Sequence, residues 1–241
     1  MEKFKEIIYS SYVSTHNKTL YGDMTIARIE GHFPALDFHY LKHLPANKNA
    51  AILDIGCGDG NFVYWLNKRG YNNAHGIDIS QEQIDKGRQL GIGNLECGDL
   101  IDYLSNRGKK FDFIIARDVI EHFTRNEVFE ILALVSKSLN DGGRFVMQVP
   151  NGQGLFYTSV FYGDYTHEMA YTASSVNQII LNTGFKKSAC YPTGPVPHGL
   201  KSNVRYLLWK LMVMKLKFWK MVETGSSAGI FTQNLIAVID K

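Results

Sequence analysis

The sequence is short of cysteine, of long apolar runs and of charge of one sign. Cys57, Cys97 and Cys190 are its three cysteines in 241 residues, and none sits in a C-x-x-C pair or another metal-ligand spacing. An odd, scattered set cannot form a disulfide framework or a zinc module, so reduced thiols in a reducing compartment are expected. No stretch reaches the ~18 uninterrupted apolar residues of a membrane span. The net charge is only +3, so without clustering of its basic residues the chain is not expected to bind nucleic acid. Met1 to Glu6 carries mixed charge and no apolar h-region, which argues against a secretory leader and for a cytoplasmic protein. Internal repeats and low-complexity linkers are also missing.

What is present is ordinary globular material, 45% hydrophobic and 20% charged. Its length suits one generous α/β domain with a large core. Short apolar runs alternate with helical patterns. Ala51 to Ile55, Asn73 to Asp78, Asn94 to Cys97, Phe111 to Ala116 and Arg144 to Val149 read as strands. Asn61 to Arg69, Ser80 to Leu90 and Asn126 to Leu139 read as helices, the last with Val128, Ile131, Leu132 and Val135 at helical spacing and an Asp141-Gly142-Gly143 stop. Beyond residue 150, Ser174 to Asn182 predicts a helix, and Phe185 to Tyr191 and Ile230 to Ile239 predict two more strands. Alternation at this spacing implies a parallel, doubly wound α/β sheet. The expected organisation is a helical cover over 1–49, a cofactor-binding core over 50–150, and a substrate-side part over 151–241.

Asp54-Ile55-Gly56-Cys57-Gly58-Asp59-Gly60 lies between a strand and a helix. Its glycines permit a sharp turn and close approach of a ligand to the main chain. The spacing is G-x-G-x-G rather than G-x-G-x-x-G. Asp54, two residues before the first glycine, would repel a pyrophosphate but welcome a ligand carrying an ammonium and a sulfonium. Asp78 ends the next strand, where a carboxylate can take both hydroxyls of a ribose. Asp99 follows the third strand and can accept from an adenine amino group. The competing reading is a dinucleotide-binding or inactive Rossmann domain, with Asp54 as a helix-capping or core acid.

Residues 50–150 resemble the class I S-adenosylmethionine-dependent methyltransferases. Asp54 to Gly60 is similar to their first motif, Gly76-Ile77-Asp78-Ile79-Ser80 to their acidic ribose loop, Cys97-Gly98-Asp99-Leu100 to their adenine loop, and Phe111 to His122 to their fourth motif. The resemblance implies a Rossmann-like, mostly parallel seven-stranded sheet and S-adenosylmethionine as cofactor. It implies cofactor contacts from Asp54, Gly56, Gly58, Gly60, Asp78, Ile79, Asp99, Leu100 and Arg117.

On the acceptor side, Asp118, Glu121 and His122 fall at i, i+3 and i+4, which one helical turn would bring to one face. Three readings are open: His122 as general base with Asp118 and Glu121 raising its pKa, the trio as a divalent-metal site, or a structural brace. No residue is assigned as a metal ligand. Gly163-Asp164-Tyr165-Thr166-His167-Glu168 lies in an aromatic loop over 151–171. It resembles a segment of bacterial methyltransferases of surface-polysaccharide and glycan biosynthesis, which implies saccharide contacts from Glu121, Tyr162, Asp164, Tyr165, His167 and Glu168. His122 is expected as the base and His167 mainly as a binding residue.

Val204 to Val222 is a basic amphipathic stretch in which Leu207, Leu211, Met214, Phe218 and Met221 share a helical face. It reads either as a dimer or core helix, or as a peripheral contact with an anionic membrane at its inner face. The leading expectation is an O-methyltransferase acting on a saccharide hydroxyl, on a small-molecule or lipid-linked acceptor. A phenolic or quinone-like acceptor, or a non-catalytic Rossmann-type binding protein, are the alternatives.

Overall fold

A computed structural model describes residues 3–10, 24–106 and 108–241. The expected 1–49 cover lies partly outside these residues, at 1–2 and 11–23; within them it comprises α1 (Lys3–Ser10), α2 (Ile26–Gly31), α3 (Phe33–Tyr40) and a 3-10 turn over Leu41–His43. Seven strands form one sheet: β1 (Ile52–Ile55), β2 (Ala74–Asp78), β3 (Leu95–Cys97), β4 (Phe111–Arg117), β5 (Leu139–Pro150), β6 (Lys187–Pro192) and β7 (Asn234–Asp240). Their order is β3-β2-β1-β4-β5-β7-β6. β7 runs antiparallel to both of its neighbours, and the other pairings are parallel. This is the doubly wound, mostly parallel sheet expected from the alternating pattern.

The apolar runs make physical sense in the middle of such a sheet. All four residues of β1 are buried, because strands with helices on both faces have no solvent side. One face packs against α6 (Leu100–Asn106), α7 (Arg125–Ser138) and α9 (Ala173–Ile180) through Leu104, Ile131, Leu132 and Val176. The other packs against α2, α3, α4 (Asn61–Lys68) and α5 (Gln81–Gln89) through Ile29, Tyr40, Trp65 and Ile84. Phe113 and Ile114 show the alternation directly, one in each core.

Three local differences from the sequence reading have physical reasons. α6 was not expected; Asp99 initiates it, its Oδ1 accepting from the amides of Ile101 and Asp102. α7 starts one residue early because Thr124 and Glu127 form a capping box. Asp141 to Gly143 do not separate helix from strand: β5 begins at Leu139 and absorbs them as an irregularity, with Gly142 at φ 74°. All three cysteines are free thiols. Among the described residues, no helix is long and apolar enough to cross a membrane.

The strand order reverses between β1 and β4, which lie side by side. In open α/β sheets the crevice outside the carboxyl ends of the strands at such a point is where ligands bind. Both β1, leading into the glycine loop, and β4, leading into Asp118 to His122, deliver their ends there.

Candidate functional site

The glycine loop turns because three of its residues adopt left-handed backbone: Gly56, Gly58 and Gly60 have φ of 67°, 56° and 80°. Side chains are also excluded sterically. A Cβ at Gly56 would overlap the γ-methyl of Val119, and one at Gly60 would lie 2.7 Å from Leu95. Gly56→Ala should therefore lower stability by about 2 kcal/mol, from left-handed strain plus the clash. A fall in thermal midpoint checks this; an unchanged midpoint would mean that Val119 moves aside freely.

Asp54 is buried at the end of β1, and its Oδ2 has no hydrogen-bond partner among the described residues. Burial pushes its pKa up to about 7, against the pull of Arg117. Arg117, at the end of β4, donates from Nη2 to Asn61 Oδ1 at 2.7 Å and stacks over Phe62 at 4.6 Å, while its Nε also lacks a partner among the described residues. Asp78 accepts from the amides of Gly58 and Ser80, both at 2.8 Å, so the second acid fastens the glycine loop to the end of β2. Ile79 and Asp99 are exposed and Leu100 is buried beside them, at the ends of β2 and β3.

On the other side of the crevice, β4 is followed by Asp118, held at φ 56°, and a 3-10 turn over Ile120–His122. The turn is tighter than an α-helical one, and Asp118, Glu121 and His122 all line one cavity. Asp118 is taken by a different network: Gln148 Nε2 donates to its Oδ2 at 2.7 Å, Asn234 Nδ2 to its Oδ1 at 2.9 Å, and Tyr40 Oη donates to Gln148. Glu121 and His122 meet His167 instead. The two imidazole centroids are 4.6 Å apart, and His167 Nε2 lies 4.0 Å from Glu121 Oε1.

His122 Nδ1 is 2.7 Å from Thr166 Oγ1, which donates at 2.6 Å to Asp164 Oδ1. Since Thr166 spends its proton on Asp164, its oxygen is placed to accept from Nδ1 of His122, whose ring also hydrogen-bonds the Asp118 backbone. The expected rise in the His122 pKa is reversed: burial, with His167 beside it, lowers the pKa to about 4. Neither Glu121 oxygen has a hydrogen-bond partner among the described residues, and burial followed by the nearby Asp118 pushes this carboxyl well above its usual range. Glu121, His122 and His167 offer ligand atoms all within 4.8 Å of one another. A carboxylate and two imidazoles at that spacing can hold a divalent cation.

Both halves open onto one cavity of about 680 Å³. Gly56, Gly58 and Arg117 line the first half; His122, Asp164 and His167 line the second. A methyltransferase-domain family matches residues 29–188, more than half of the chain. The chain belongs to this methyltransferase family. Phosphoethanolamine N-methyltransferase of Plasmodium falciparum is 29% identical over 99 residues, 37% of this chain and 36% of that protein. A ubiquinone biosynthesis O-methyltransferase of Chelativorans is 33% identical over 99 residues, 38% of this chain and 37% of that protein. The chain thus spans little over a third of these curated relatives. A solved S-adenosylmethionine-dependent methyltransferase from Archaeoglobus fulgidus shares the fold, with TM-score 0.69 at 21% identity over 95% of this chain and 100% of that one.

In this methyltransferase domain, several residues singled out in the sequence are not among those lining the cavity: Asp54, Gly60, Asp78, Ile79, Asp99 and Leu100 on the glycine-loop side, and Tyr162, Tyr165 and Glu168 on the other. Tyr162 and Tyr165 are 78% and 85% exposed, and Tyr165 meets only the edge of Phe4 among the described rings. Glu168 pairs with Lys5 at 2.9 Å, and Lys5 also donates to the His122 carbonyl. Sequence reasoning missed Asn61, Gln83 and Lys86 on the wall beside the glycine loop, and Arg28 and His32 from the helical cover. Asn61 and Gln83 fall on the first turns of helices already recognised, a position that could have signalled them. Nothing local marks Arg28 or His32.

Proposed function

We propose that this chain is an S-adenosylmethionine-dependent O-methyltransferase acting on a hydroxyl of a saccharide. The cofactor fits residues already in place. The unpartnered Asp54 Oδ2 suits an ammonium, and the left-handed glycines leave room for a ligand against the main chain. Asp78 spends two acceptor sites on loop amides, and a carboxylate has about four, so two remain for ribose hydroxyls. Asp99 caps α6 through Oδ1 alone and keeps Oδ2 for an adenine amino group, beside Ile79 and Leu100. Arg117 and Asn61 support the wall between them. When bound, S-adenosylmethionine supplies an electrophilic methyl on a sulfonium.

The chain's own contribution is alignment and a proton acceptor. The observation that carries the reading is the polar acceptor end: His122, Asp164 and His167 form its wall, and the Asp164–Thr166 pair sets a hydroxyl oxygen against His122 Nδ1 and orients the ring. Hydroxyl-rich acceptors suit such a wall; a flat phenol would be better served by apolar ring faces, and the exposed Tyr162 and Tyr165 do not provide them. The second reading, a phenolic or quinone-like acceptor, draws on the likeness to a ubiquinone biosynthesis O-methyltransferase.

A labelled-methyl transfer screen separates these readings. Nucleotide sugars and lipid-linked glycans should accept methyl, with S-adenosylhomocysteine competing for the site. Transfer only to catechol- or quinol-type acceptors would replace the saccharide by the second reading. Calorimetric preference for NAD over S-adenosylmethionine would overturn both.

A further inference from the structure

Helix α10 (Leu200–Thr224) is 25 residues long, and none of its residues is buried. Tyr206, Trp209, Val213 and Leu216 recur at steps of three and four and are half-buried, so this stripe is the one that rests on the protein. Tyr206 meets Phe38 edge-on at 6.3 Å, and Trp209 lies over Gly194. The opposite side is apolar as well and faces outward. Leu207, Leu211, Met214, Phe218, Trp219 and Val222 are all exposed, from 45% at Leu211 to 72% at Trp219.

Charge is arranged around that crest. At 3.6 residues per turn, Lys201 and Arg205 fall on one shoulder and Lys210 and Lys217 on the other. Lys215 lies within the crest, and Lys220 turns back to donate to the Ala228 carbonyl. Against these six basic residues the helix has a single acid, Glu223. Beside the helix, Leu155 and Phe156 are 50% and 62% exposed, and Leu155 shares a groove with Trp219, Leu216 and Phe231. Three residues further on, Ser159 and Val160 line the acceptor cavity.

We propose that α10, with Leu155 and Phe156, docks this chain on the surface of an anionic bilayer. The apolar crest enters the boundary between headgroups and acyl chains, and the two lysine and arginine shoulders reach the lipid phosphates. Charge selects this occupant over a second copy of the chain. Pairing two such helices through their crests would bring two sets of cationic shoulders together with one acid each to offset them. Docking sets the loop that walls the acceptor cavity beside the lipid surface, and it holds whether the acceptor is a saccharide or a phenol.

Co-sedimentation with vesicles of phosphatidylcholine, with and without phosphatidylglycerol, tests it. The protein should pellet with the anionic vesicles only, and added salt should release it. Its tryptophan emission should shift to the blue on binding. Trp219→Phe should remove most of that shift, because Trp65 is fully buried and Trp209 faces the protein. Reversing Lys201, Arg205, Lys210 and Lys217 to glutamate should weaken partitioning by at least about a hundredfold. These side chains are exposed, so circular dichroism and the thermal midpoint should hold. Wild-type protein left in the supernatant at low salt, with its emission unshifted, would overturn the proposal. So would a stable dimer by analytical ultracentrifugation that Phe218→Asp dissociates, which would give the crest to a second copy.

Discussion

Affinity for S-adenosylmethionine should fall about tenfold for each pH unit below pH 7 and stay flat above it. The cause is Asp54. Burial holds its pKa at about 7 in the unliganded protein, and it must be ionised to receive an ammonium. Below that value binding has to expel a proton, so the slope is one; above it the carboxylate is already charged and nothing is linked. Calorimetry in buffers of different ionisation enthalpy should detect close to one proton released per cofactor at pH 6 and almost none at pH 8. Asp54→Asn should erase the slope and weaken binding at pH 8 by roughly 2–3 kcal/mol, the loss of a charged hydrogen bond in a buried site. Affinity that is level from pH 5.5 to 8, with no proton uptake or release, would remove Asp54 from the cofactor site.

The second large effect concerns the two histidines. His122→Ala should reduce kcat by ~10²-fold or more with little change in acceptor KM, the mark of a lost proton acceptor. Thr166→Val should reproduce part of that loss, about tenfold, because it removes the oxygen that accepts from Nδ1 and orients the ring. His167→Ala should chiefly raise acceptor KM. Its Nδ1 is tied to the Phe161 carbonyl at 3.0 Å, on the short helix α8 (Tyr157–Phe161), so it moves with the loop that walls the cavity. The reverse pattern would hand the proton to His167. Loss of activity on chelation, restored by magnesium, would instead make Glu121, His122 and His167 a metal site, and Glu121→Gln would then be as damaging as His122→Ala.

The glycine-loop half of the cavity could be read from sequence because its constraints are local. A central parallel strand must be apolar on both faces, and a loop of left-handed residues must be glycine, so β1, Gly56, Gly58 and Gly60 announce themselves. The acceptor half could not. The i, i+3, i+4 spacing of Asp118, Glu121 and His122 supposes an α-helical turn, but Asp118 takes a positive φ and a 3-10 turn follows. That geometry sends Asp118 to Gln148 and Asn234, and leaves Glu121 and His122 to a histidine 45 positions after His122. Pairings over such separations leave no periodic trace. The same holds for α10: its two apolar sides look alike in sequence, and only packing decides which one meets the protein.

Asp118 binds the two ends of the chain together. Tyr40 reaches it through Gln148 from the amino-terminal helices, and Asn234 reaches it from the last strand. Asp118 is thus a junction at which segments more than a hundred positions apart are fastened to the end of β4, Tyr40 lying 108 positions from Gln148 and Asn234 lying 116 from Asp118. Removing its carboxylate would release the first helices and β7 from the mouth of the cavity together, so one short side chain couples the rigidity of two remote segments.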